Sequence, residues 1–324
     1  MSSIAIASAE TLSSPPPDLL GEAELEHLKI SCALRQQPVS VTLDGKTIFL
    51  SSLVLVLLIQ FLDSYHAQGI IALFPIVLLI HNDYQNFLNL GPGGTPSTFS
   101  GYLRISWFRL WSLSDPFAAP DPDPIRLPTS GILRRQRIPY RAGPRPVVAG
   151  IAPQRQLDQH GSRVCYRALR WSMAKLANRS PKKFGIERSC IEKHGLALFA
   201  RHPVQTNCQG EICHVHDSDH SMHMCLHPDD IKEVLEKGWG QRHPLAWRSR
   251  FVKSPVSPDF VMIYAPRGET CFYATGKKFV NINNGLTRPS LDDEELQVIC
   301  NIIEAAIWYT VAEELEMGIC PRPM

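Results

Sequence analysis

Several things are missing from this 324-residue chain. Its nine cysteines include no CxxC pair, are odd in number and are irregularly spaced. That excludes a disulfide framework and favours reduced thiols in a cytosol-facing domain. No charge sign dominates: 33 Lys and Arg against 31 Asp and Glu leave +2, too near neutral to demand nucleic acid or an acidic partner. Charged residues make up only 20% and apolar residues 44%, which describes a foldable chain and excludes wholesale disorder. A mean hydropathy of −0.09 excludes a polytopic membrane protein while allowing one span. The start lacks a basic segment running directly into an apolar stretch, so no cleaved secretory signal is expected.

No single apolar run is long enough to cross a bilayer unaided. A helix rising ~1.5 Å per residue needs about twenty residues to span a ~30 Å hydrocarbon core. Ile48–Leu62 gives fifteen and Gly69–Ile80 twelve, with Asp63 to Gln68 between them. Together they overshoot, and a central Asp would cost ~2.5–3.5 kcal/mol. The spacing predicts one membrane-spanning helix within 47–81, built from one run extended into its flanks. Two buried core helices are the alternative. Arg35 and Lys46 before the runs and Arg104 and Arg109 after them barely specify orientation.

The rest divides by composition. Residues 1–46 are Ser/Ala/Pro-rich and read as a mobile N-terminal tail. Residues 82–158 form a Pro/Arg-rich juxtamembrane region. Nine of the 26 prolines fall between Ser114 and Gln156, which forbids a helical interior there. Arg126, Arg134, Arg135, Arg137, Arg141, Arg145 and Arg155 occur with no acidic residue from Arg126 to Asp158. Nucleic-acid binding would call for interleaved aromatics, and Tyr140 alone is available, so no nucleic acid is expected. The segment instead lies near anionic lipid, wraps the next domain, or is a solvated linker.

From residue 159 to 324 the pattern is globular. Val164, Ala168, Trp171 and Leu176 follow helical spacing. Glu211–His216, Ser221–Leu226 and Phe260–Tyr264 read as short strands. Pro228-Asp229-Asp230 opens a helix with Ile231, Val234 and Leu235 on one face, closed by Gly238. The acidic run Asp292–Glu295 opens a longer one with Leu296, Ile299, Ile302, Ile303 and Ala306. Regular βαβ spacing is lacking, so the fold class is α+β: a small, mostly antiparallel sheet packed with helices, after an N-terminal membrane-spanning helix.

Eight of the twelve histidines lie between His194 and His243. Alternation puts His214 and His216 on one strand face, and His223 shares a face with Ser221 and Cys225 on the next strand. If a turn at Asp217–Asp219 pairs the strands, the imidazoles converge. Imidazole suits proton transfer and metal binding alike, with an unperturbed pKa of ~6.5. The run His214-Val215-His216-Asp217-Ser218-Asp219-His220 resembles in part the HxHxDH zinc run of metallo-β-lactamase-like hydrolases. It is one residue too long, and no later ligand set follows, so no metal is expected. A second constellation is Gly238-Trp239-Gly240-Gln241-Arg242-His243-Pro244-Leu245, where Arg offers a planar fork for an enolate and His a proton acceptor. The plainer alternative has Trp239 plugging the core and Arg242 in an ion pair. Tyr264-Ala265-Pro266-Arg267 is either a strand end or an aromatic and a cation lining a pocket.

The run Lys232-Glu233-Val234-Leu235-Glu236-Lys237-Gly238-Trp239-Gly240-Gln241-Arg242-His243-Pro244-Leu245-Ala246 closely resembles a segment of the fungal luciferases. Further matches keep the family's order: Asp83-Tyr84-Gln85, Gly91-Pro92, Gln154-Arg155-Gln156, His194, Glu211-Ile212, His214, His216-Asp217, His223 and Tyr264-Ala265-Pro266-Arg267. The resemblance covers most of the chain from about Gly69 and is loose between Trp107 and Pro139.

It implies a membrane-tethered, cofactor-independent oxygenase. O2 would add to a 3-hydroxypyrone of the 3-hydroxyhispidin type, an endoperoxide would lose CO2, and light could follow. No metal, flavin or nicotinamide is implied, and O2 is the co-substrate. Such chemistry needs a base, a cation for the oxyanion and a dry aromatic pocket. We expect His214, His216 or His243 as base, and Arg242 and Arg267 as oxyanion partners. Trp239 and Tyr264 are the expected walls, with His194 and His223 also at the substrate. These roles are inferred from the chemistry; the family itself does not assign them. The expected location is a membrane, single-pass, in the endoplasmic reticulum, with the C-terminal domain facing the cytosol. The stretch 268–291 has no counterpart in the family and reads as an insertion or retained intron. The alternatives are a non-luminous related enzyme, a ligand-binding module for a phenolic or pyrone compound, and a metal-dependent hydrolase.

Overall fold

The structure, a computed structural model, describes residues 45–61, 64–123, 125–205, 207–248, 254–267, 291–315 and 317. The tail up to residue 44 and residues 268–290 of the expected insertion 268–291 lie outside them. Contacts divide the chain into residues 1–74 and 75–324. The Pro/Arg-rich region therefore belongs with the globular part.

Helix α1 (Gly45–Gln60) has 16 residues, about 24 Å, which is short of a bilayer. Helix α2 (Tyr65–Asn89) has 25 and, among the described residues, is the one helix long and apolar enough to cross a membrane. It outruns the apolar stretch Gly69–Ile80 because the flanks from Tyr65 and through His81–Asn89 continue the helix. Leu73, Phe74, Val77 and Leu78 are all exposed on it.

The larger unit continues with α3 (Phe99–Arg109), α4 (Leu133–Gln136), β1 (Val148–Gly150), β2 (Gln154–Gln156), α5 (Arg163–Arg179), β3 (Phe184–Arg188), β4 (Leu196–Ala200), β5 (Glu211–Val215), β6 (Met222–Cys225), α6 (Pro228–Glu236), β7 (Gly240–Arg242), β8 (Phe260–Ile263) and α7 (Leu291–Val311). Strands β3–β8 form one antiparallel sheet in the order β3-β4-β5-β6-β8-β7, and β1–β2 is a separate hairpin. The α+β reading holds.

Alternation gives the sheet two chemically different faces. Cys213, Val215, Met222, Met224, Val261 and Ile263 join the main core with residues of α5, α6 and α7. His214, His223 and Phe260 occupy the other face, where α3 and the β1–β2 hairpin lie across them. Helix α6 starts as read: the His227 side chain caps it by accepting from Asp229 N, and Gly238 ends it at φ 79°. Helix α5 corrects an expectation. Its buried stripe is Cys165, Leu169, Ser172, Met173 and Leu176, so Trp171 turns outward, half-exposed beneath the Lys175 ammonium.

The Pro/Arg-rich stretch wraps the domain. Ile132, Leu133 and Ile138 are buried in the main core. Several of its arginines are spent on the protein: Arg126 pairs with Asp259 at 3.0 Å, Arg135 with Glu314 at 2.6 Å and Arg155 with Glu192, while Arg145 donates to Leu235 O at 2.6 Å. Cys190, Cys213, Cys225 and Cys300 are thiols.

Candidate functional site

The antiparallel register sets His214 of β5 directly opposite His223 of β6. His216 follows β5 at the turn, held by a bond from its own N–H to Ser221 O at 2.9 Å. The three rings are buried, with centroids 5.3 Å (His214–His216), 5.3 Å (His214–His223) and 4.7 Å (His216–His223) apart. Phe260 of β8 stacks on His223 at 5.0 Å. His243, just past β7, brings a fourth imidazole 5.4 Å from His223.

Each ring of the trio is anchored by its outer nitrogen. His214 Nδ1 lies 2.5 Å from Glu211 Oε1, and that carboxylate also accepts from Ser189 Oγ (2.9 Å), Cys190 N (2.8 Å) and Cys190 Sγ (3.0 Å). His216 Nδ1 lies 2.9 Å from Ser221 Oγ and 3.3 Å from Asp219 Oδ1. His223 Nε2 lies 2.9 Å from Gln154 Oε1. The inner nitrogens face one another: His223 Nδ1 is 3.0 Å from His216 Nε2 and 3.3 Å from His214 Nε2.

Burial shapes the electrostatics. It pushes His216 down, helped by the Arg155 charge and opposed by Asp219. It holds His223 well below the ordinary imidazole value, with the neighbouring imidazoles adding to the effect. Burial alone would raise the Glu211 and Asp219 carboxyls. The bonds from His214, Cys190 and Ser189 instead bring Glu211 below its usual value, and those from His216 and Gln156 N hold Asp219 well below its own. His216 and His223 are thus held toward the neutral form, while Glu211 and Asp219 are held ionised.

Strand β2 binds this assembly from across the sheet, one tie per residue. Gln154 meets His223, Arg155 pairs with Glu192, and Gln156 N donates to Asp219 Oδ2 at 2.6 Å. A cavity of about 220 Å³ opens beside it. Ile105, Phe108, Ile151, Leu245, Val256 and Phe260 make its apolar wall, while Gln154, Glu192, His223 and His243 line its polar part. Gln154 Nε2 is buried with no hydrogen-bond partner among the described residues.

Of the residues expected at the site, the structure gathers His214, His216, His223 and His243. At His243 both ring nitrogens are engaged. Nε2 donates to Ile151 O at 2.9 Å, Nδ1 accepts from Leu245 N at 3.1 Å, and burial lowers its pKa to about 4. The other residues lie elsewhere. Trp239 is a core plug, 1% exposed, donating from Nε1 to Pro139 O at 2.7 Å. Arg242 clamps three backbone carbonyls, of Ala118 (3.2 Å), Pro258 (3.1 Å) and Ala246. Tyr264 donates to Gln241 Oε1 at 3.0 Å and is covered by the Arg141 guanidinium. Arg267 pairs with Glu295 at 2.5 Å. His194 is exposed in an open groove with Arg170, Arg188 and Asp217. None of these five lines the cavity.

The site residues that motif reading did not assign are Glu211, Asp219, Ser221, Phe260 and the β2 residues. A spacing signal existed for two of them: Glu211 stands three before His214 and Asp219 three after His216.

A family described as Luciferase domain matches residues 209–270, a span that contains all four clustered histidines. A luciferase of Neonothopanus nambi is 31% identical over 255 residues, covering 73% of this chain and 82% of that protein. One from Armillaria ostoyae is 32% identical over 249 residues, covering 71% and 81%, and one from Armillaria mellea is 31% identical with the same coverage. No solved structure matches the chain.

Proposed function

The chain belongs to the fungal luciferase family, and on that premise we propose that it is an oxygenase acting on a 3-hydroxypyrone of the 3-hydroxyhispidin type, adding O2 with loss of CO2. The observation that carries the reading is the cavity whose apolar wall ends at a cluster of buried imidazoles. A planar hydroxypyrone suits such a wall, with Phe260 as its aromatic face. Its hydroxyl belongs at the polar end, where the histidine cluster, presented by His223, stabilises the enolate formed on ionisation. The partnerless Gln154 Nε2 supplies a donor for a second ring oxygen. An enolate in a water-poor site is electron-rich enough to reduce O2 directly.

The same reading makes α2 a single-pass anchor in the endoplasmic reticulum. The thiols at Cys190 and Cys213 favour a domain on the cytosolic side over one in the lumen. Protease protection of intact microsomes decides between them.

Membranes carrying the full chain, given 3-hydroxyhispidin, should consume O2 and release CO2, with light measured separately as a yield. His223→Gln should lower O2 uptake more than about tenfold. Saturable binding of the pyrone with no O2 uptake would replace the oxygenase by a ligand-binding module.

A further inference from the structure

We propose that His214, His216 and His223 bind a divalent first-row transition metal ion. The inference stands on the cluster's own geometry and does not rest on the hydroxypyrone reading.

The argument begins with counting protons. Glu211 is an acceptor for Ser189, Cys190 N and Cys190 Sγ, so the 2.5 Å contact to His214 requires the imidazole to donate from Nδ1. The single Ser221 hydroxyl proton goes to Asp219 Oδ2 at 2.7 Å, so Ser221 Oγ accepts from His216 Nδ1. Gln154 Oε1 accepts from His223 Nε2. A neutral imidazole carries one N–H. With one N–H per ring, placed by these contacts on the outer nitrogen, the inner nitrogens His214 Nε2, His216 Nε2 and His223 Nδ1 present lone pairs to one another.

Those lone pairs face each other at 3.0 and 3.3 Å on rings that are almost wholly buried. One added proton relieves only one of the two contacts. A cation between the three nitrogens relieves both. The two spacings to His223 fit: metal–nitrogen bonds of about 2.0–2.1 Å at tetrahedral angles place ligand nitrogens about 3.3 Å apart. One nitrogen from each of the three histidines lies within 4.8 Å of the others.

The surroundings repeat the pattern of metal centres. Metal-bound histidines typically donate their other N–H to a carboxylate, hydroxyl or amide oxygen, which fixes the tautomer. Here the three partners are Glu211, Ser221 backed by Asp219, and Gln154. Three imidazoles with no thiolate or carboxylate among the ligands suit zinc, iron(II), cobalt or nickel rather than magnesium or calcium. Three protein ligands leave a coordination position for water or an oxyanion. His223 belongs to both the cluster and the cavity wall, so that position has a route to a ligand.

The test uses the full chain in mild detergent. It is stripped with a chelator, incubated with Co²⁺ or Zn²⁺, dialysed, and assayed for metal by mass spectrometry with no substrate present. About one equivalent should remain, with visible cobalt bands of nitrogen coordination and a raised unfolding temperature. His216→Gln should lose the metal and the bands, while His194→Ala, at the exposed groove, should keep both. Retention of less than about a tenth of an equivalent by the wild-type chain would overturn the proposal. Equal retention by His216→Gln would overturn it too, because the ion would then sit elsewhere. If His216→Gln does not fold, the wild-type cobalt spectrum decides: nitrogen-coordinated bands support the site and their absence ends it.

Discussion

Glu211→Gln is the most informative single change, because one carboxylate in this site does four jobs. Its Oε1 accepts from Ser189 Oγ and His214 Nδ1, and its Oε2 from the Cys190 N–H and thiol. Glutamine keeps the shape and replaces one oxygen by an NH2 group. Whichever way the amide turns, two buried donors then face a donor. A hydrogen bond to a charged group contributes about 1.5–3 kcal/mol, and a stranded donor costs about 1–3 kcal/mol. Removing a buried negative charge returns part of this. The net loss should be about 2–4 kcal/mol, read as a lowered urea midpoint with unchanged slope.

The substitution also changes a tautomer. His214 can relieve the clash by accepting from the amide at Nδ1, which moves its proton to Nε2, toward His223. Nitrogen-15 shifts of the labelled imidazoles should then report Nε2–H on one histidine where the wild type has Nδ1–H. A midpoint within about 0.5 kcal/mol of wild type, with His214 still carrying its proton on Nδ1, would refute the claim that Glu211 anchors this ring.

Two further outcomes follow from the packing. Asp230 is buried at the first turn of α6, with the Asp229 and Glu233 charges nearby. Burial first, and those charges second, raise its pKa to about 6, against the bonds from the Leu133 and Ile132 amides. The folded chain therefore holds this proton more tightly than the unfolded one. The associated stability is complete below about pH 4 and is lost as pH rises through about 6. It amounts to about 3 kcal/mol for a difference of about two units, and Asp230→Asn should flatten that slope in unfolding measured from pH 4 to 7. Arg242→Met should cost about 2–4 kcal/mol by freeing the Ala118, Ala246 and Pro258 carbonyls, with the KM for the pyrone unchanged in the folded fraction. A tenfold loss of turnover at wild-type stability would return Arg242 to the chemistry.

Much of this architecture can be read along the chain. Alternation in Glu211–His216 and Ser221–Leu226, with turn residues between, suffices to pair His214 with His223. The stripes of α6 and α7 follow the helical period. The loop at 238–245 misleads for a physical reason. Consecutive residues of an extended segment point in different directions, so Trp239, Arg242 and His243 reach the core, a set of carbonyls and the histidine face respectively. On α5 the buried stripe runs through Cys165 and Ser172, whereas the larger Trp171 shields itself with Lys175. The β2 contribution is invisible to local pattern, since Gln154 and His223 are 69 positions apart and three-residue strands carry almost no periodicity.

That short strand has a practical corollary. Trimming the protein to the stretch that looks globular by composition, from residue 159 on, would discard Gln154, Arg155 and Gln156 together, and with them Ile105, Phe108 and Ile151. The remnant would keep every clustered histidine and still lack half its chamber. A water-soluble derivative that omits the apolar helix has to begin near residue 82, so that Asp83 can still receive Tyr102 and seat α3 as a lid.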